Sequence, residues 1–132
     1  MGTSALVNTE SGNSLYYDEA TFWSRSIAAW LRVTARVVND AEEADGAPVV
    51  VALIAETAGK LSLQNERLDV LHRELEKYLA SLATQAGRYA VARNENLHHR
   101  FHGKVMDEAV QFRELLSIMF RLEQQAYRPF LT

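Results

Sequence analysis

The chain contains no cysteine, only two prolines and six glycines in 132 residues, and no long apolar run. Without cysteine there are no disulfides, no thiolate nucleophile and no cysteine-ligated zinc, and a reducing cytoplasm is the easier home. So few breakers argue against a sheet with many turns and for long uninterrupted helices. The longest apolar stretch, residues 47–55, is nine residues, against the roughly 20 that a membrane-spanning helix needs. The N-terminus lacks a basic region followed by an apolar segment, and Leu6 stands where a myristoylation signal wants Ser or Thr. A soluble, cytoplasmic protein with no membrane attachment is expected. Catalytic motifs are missing too: no Gly-rich phosphate loop, no G-x-S-x-G and no H-E-x-x-H. The chain is therefore expected not to be an enzyme, and nothing in it calls for a cofactor.

What is present suits a folded helical domain. The hydrophobic fraction of 48% is enough to build a core, and a net charge of −3 means that the molecule as a whole is not built to attract polyanions. Residues 1–13 are rich in Gly, Ser, Thr and Asn and read as a flexible tail, with a single helical domain over 14–132. A first helix is expected from about Asp18 to Val38, burying Trp23, Ile27, Trp30, Leu31, Thr34, Val37 and Val38 on one face. The acidic stretch 39–47, with Gly46 at its end, reads as a linker, and Pro48 suits the first position of a new helix.

From Pro48 the periodicity is strongest. Ile54, Leu61, Leu68, Leu75, Leu82 and Tyr89 recur every seven residues as heptad a positions. The d positions, Val50, Thr57, Gln64, Leu71, Tyr78 and Gln85, are only half apolar. One helix over 48–86 would be roughly 58 Å long at about 1.5 Å per residue. Such a rod calls for a break near Gly59 or for a second copy of the chain to cover its overhang. Polar d residues are the kind that fix register between helices. A coiled-coil homodimer is thus expected, sealed by Ile54, Leu61, Leu68, Leu71, Leu75, Tyr78 and Leu82. Gly87 marks a bend, Asn94 and Asn96 either a loop or a ragged helix start, and Pro129 the end of the last helix. The fold class is all-α: a bundle of three to five helices with a long central heptad-patterned helix.

Three kinds of site compete. Tyr16, Tyr17, Phe22, Trp23 and Trp30 are five of the twelve aromatic residues, gathered within fifteen positions. Trp23 and Trp30 sit on the core stripe, whereas Tyr16, Tyr17 and Phe22 fall off it. Beside Arg25, and with Leu63 and Val70 on the outer face of the heptad helix, they form a candidate partner surface. The segment 88–104 carries Arg88, Arg93, Arg100 and Lys104 against Glu95 alone and offers phosphate contacts, although no nucleic-acid-binding motif surrounds it. Glu95, His98 and His102 would share one helical face and could ligate a metal, but inward-facing carboxylates from other helices are lacking. The clustered histidines His98, His99 and His102 would also gain charge below about pH 6.5. The preferred expectation is a small regulatory or adaptor protein that binds another protein through helical surfaces. The alternatives are a nucleic-acid-binding helical regulator and a His/carboxylate metal protein.

Overall fold

A computed structural model describes residues 13–84 and 88–131, with side chains described over 15–84 and 94–126. The described residues form an all-α bundle of three helices: α1 Asn13–Ala41, α2 Pro48–Thr84 and α3 Arg88–Leu131. No strand occurs among them, and Val49, Val50 and Val51 open α2. No helix in the described residues is long and apolar enough to cross a membrane. The expected tail falls outside the described residues except for Asn13, as does the bend at Gly87.

Helix boundaries differ from the sequence expectation at both ends of α1 and at both ends of α3, while α2 decides between the two alternatives left open at Gly59. α1 starts five residues before Asp18 and continues three past Val38. α2 runs through Gly59 without interruption; this exposed glycine costs helix propensity but removes no buried side chain. α3 is helical from Arg88, with no loop or ragged start at Asn94 or Asn96. Pro129 does not end α3, which reaches Leu131. A proline in the last turn forfeits one backbone bond and need not stop the two residues after it.

Contacts gather the chain into two compact units, Met1–Ala28 with Val70–Asp107 and Ala29–Asp69 with Glu108–Thr132. In the second unit Ile54, Ala58, Leu61, Leu115, Met119 and Ala126 form the core, with Val37, Val38, Ala41 and Leu122 packed around it. Leu68 is buried there as well, and the half-buried Trp30 stacks on Phe112 at 5.4 Å. The polar d residues of this unit are internal. Gln64 donates from Nε2 to the Glu108 backbone carbonyl at 2.9 Å, tying α2 to α3, and Thr57 donates to the Leu53 carbonyl. Arg67 adds a rim contact, 3.2 Å to the Glu108 carboxylate and 2.8 Å to Gln111.

The linker between α1 and α2 closes against α3 in this unit. Gly46 adopts φ 137°, and a Cβ there would lie 2.8 Å from the Ala126 carbonyl oxygen. Only glycine meets both demands at that point. Pro48 takes the first helical position, and the Ala47 carbonyl accepts the Val51 N–H at 3.0 Å.

In the first unit Leu71, Leu75, Tyr78 and Leu82 of α2 are buried with Ala20, Trp23 and Ile27 of α1 and Phe101 and Val105 of α3. Across the two units, all seven residues expected to seal a dimer are buried within one chain. Their burial therefore does not call for a second copy.

Candidate functional site

His98 is the most elaborately held side chain of the first unit. It lies on the core face of α3, four residues after the buried Asn94 and three before Phe101, and is only 7% exposed. α3 buries 94, 98, 101 and 105 at steps of four, three and four, one continuous core face. The imidazole is sandwiched between Tyr16, at 4.5 Å between ring centroids, and Trp23, at 4.6 Å, both stacked at 29°. Its Nε2 lies 3.3 Å from a Glu19 carboxylate oxygen and its Nδ1 lies 3.3 Å from the Tyr78 hydroxyl.

These distances select one neutral tautomer. A carboxylate only accepts, so Nε2–H donates to Glu19 and Nδ1 accepts from Tyr78 O–H. The Tyr78 hydroxyl also lies 3.3 Å from the Asn94 carbonyl. A protonated imidazole would donate from Nδ1 to Tyr78, whose hydroxyl hydrogen would then turn to that carbonyl. Burial nevertheless lowers the His98 pKa, outweighing the hydrogen bond and charge of Glu19, which raise it; nearby His99 and His102 lower it further. Burial likewise pushes the Tyr78 hydroxyl well above the usual phenol range, helped by Tyr16 and Glu19. Tyr78 stays a phenol, and His98 has both nitrogens facing protein groups and both ring faces covered. The cluster holds a side chain in place; it does not present one to a substrate.

The sequence-derived sites fare differently. Of the metal-site candidates, Glu95 and His102 are exposed while His98 turns inward to Glu19, and the His102 ring lies tilted at 57° to Trp23, 5.7 Å between centroids. No group of three or more His, Cys, Asp or Glu placed to hold a metal occurs among the described residues. Of the basic candidates, Arg100 and Lys104 are exposed and Lys104 reaches Glu74 at 3.5 Å, while the side chains of Arg88 and Arg93 lie outside the described residues. Of the partner-surface candidates, Tyr16 is spent on His98 and Tyr17 is half-buried. Leu63, in the second unit, is 59% exposed, and Val70, in the first, is 54% exposed.

Phe22 is 69% exposed, and Leu15, seven residues earlier on the same face of α1, is 62% exposed. Asp18 and Arg25 complete that face, both exposed. Sequence reasoning missed Leu15, although its seven-residue spacing from Phe22 was a usable signal. It also missed Glu19, for which no local signal existed: Glu19 is 79 positions from His98 and finds it only through folding. No protein-family model matches this chain, and no curated protein or solved structure is significantly similar to it.

Proposed function

We propose that this protein is a small regulator or adaptor that acts by binding another protein, with no chemistry of its own, and that the outer face of α1 in its first unit is the docking surface. One observation carries the reading. Leu15 and Phe22 expose two large apolar side chains one heptad apart, flanked by Asp18 and Arg25, while the opposite face of the same helix supplies Ala20, Trp23 and Ile27 to the core. A single exposed apolar residue is ordinary, but a row with a phenylalanine anchor and a neighbouring arginine has the composition of an interface centre. A helix face of this kind suits recognition by packing into a partner's groove.

Two affinity captures from extracts of the producing cells, one with the wild-type chain and one with Phe22→Asp, test this. The reading requires a protein retained near stoichiometrically by the first and lost from the second. Identical captures would refute it. A second copy of the chain is itself a candidate partner, and light scattering separates the cases: 14.9 kDa for the lone chain, twice that mass for a pair.

A further inference from the structure

Sharing Tyr78 with the His98 cluster, residues of α2 and α3 line an open groove of about 330 Å³ within the first unit. Its floor is the Tyr78–Phe101 ring pair, 5.0 Å between centroids, and Leu97 forms one wall. Lys77 and Ser81 line the α2 rim, and Arg100 and Lys104 line the α3 rim. One acid, Glu74, lies there and is engaged by Lys104 at 3.5 Å. Lys77 and Arg100 have no ion-pair or hydrogen-bond partner among the described residues.

We propose that this groove receives an acidic segment of a partner protein, which seats one bulky apolar side chain on the Tyr78–Phe101 floor and sets carboxylates against Lys77 and Arg100. The inference rests on the partner-binding reading and gives a second contact its chemistry. Charge complementarity identifies the occupant: three cations surround the groove and one acid partly offsets them, so an anionic group is favoured on both rims. The apolar floor selects against a plain polyanion, which would gain nothing from it. A nucleic-acid strand is the poorer fit. A sugar–phosphate backbone, like any plain polyanion, gains nothing from the apolar lining that Leu97, Tyr78 and Phe101 supply. The chain as a whole is also negatively charged. The small volume, at the lower end of ligand pockets, fits one large side chain rather than an extended cofactor.

Fluorescence anisotropy with the full chain tests the proposal, using a labelled synthetic peptide in which two leucines are flanked on each side by alternating Asp and Glu. Saturable binding is expected, weakened about tenfold or more in the double variant Lys77→Glu/Arg100→Glu, and lost when glycines replace the two leucines of the peptide. Circular dichroism of the double variant must match the wild type; since both residues are exposed, the fold should survive. Phe22→Asp should bind the peptide as the wild type does, which separates this groove from the α1 face. The proposal is overturned by absence of saturable binding, by equal affinity for the glycine peptide, by indifference to the charge reversals, or by tighter binding of a single-stranded oligonucleotide.

Discussion

At His98, burial and hydrogen bonding oppose each other, and burial dominates. Below the ordinary value of 6.5, the unfolded chain takes up a proton at this residue more readily than the folded chain does. The residue's contribution to stability is therefore complete above that pH and declines as the pH falls. Urea melts at about pH 7.5 and about pH 5.5, on either side of the ordinary histidine value, should show less acid sensitivity in His98→Gln than in the wild type. Glu123 works in the opposite sense at lower pH, because burial and then Asp40 raise its pKa. Comparing variants at matched pH isolates the histidine. His98→Ala, which also loses two ring stacks and the hydrogen bonds to Glu19 and Tyr78, should cost about 2–4 kcal/mol. An equal pH slope in His98→Gln would mean that the imidazole is solvated.

Glycines make a sharper residue-scale contrast. Gly46→Ala should destabilise the protein by roughly 1–3 kcal/mol, because φ 137° and the nearby Ala126 carbonyl both exclude a Cβ. Gly59→Ala, with nothing within 4 Å of the new methyl, should stabilise by about 0.5–1 kcal/mol through helix propensity. Denaturant midpoints with an unchanged m-value would verify both signs.

Among the helices, α2 was the most legible. Its a row is apolar at every second turn, and Ile54, Leu61, Leu68, Leu75 and Leu82 are all fully buried. Leu61→Ala should accordingly cost about 2–5 kcal/mol by calorimetry or denaturant titration. Spacing placed these residues inward but did not say what covers them. The segments that do so come from α1 and α3 of the same chain, and sequence periodicity carries no information about whose helix fills a seam. α3 was less legible for a related reason. Asn94 and His98 stand at inward positions normally held by aliphatic residues, so the core phase is disguised where it begins. The polarity of His98 makes sense only with Tyr78 and Glu19 opposite. The α1 face was half legible. Phe22 stood off the apolar stripe and proved exposed, but Tyr16, also off that stripe, was drawn in by stacking on an imidazole 82 positions away.

For the whole molecule, three helices satisfy the heptad row internally, which leaves the outer faces to explain the remaining apolar side chains. The net charge of −3 is small, so the proposed docking relies on local features, the Leu15–Phe22 face and the Lys77–Arg100 groove, rather than on the overall field. The most direct test of the docking claim is photo-crosslinking in the producing cells, with a benzophenone amino acid in place of Phe22 and, separately, of the exposed Glu56. A discrete adduct well above 14.9 kDa from position 22, absent from position 56, is the predicted result. No adduct at 22, or the same pattern at both positions, would contradict it.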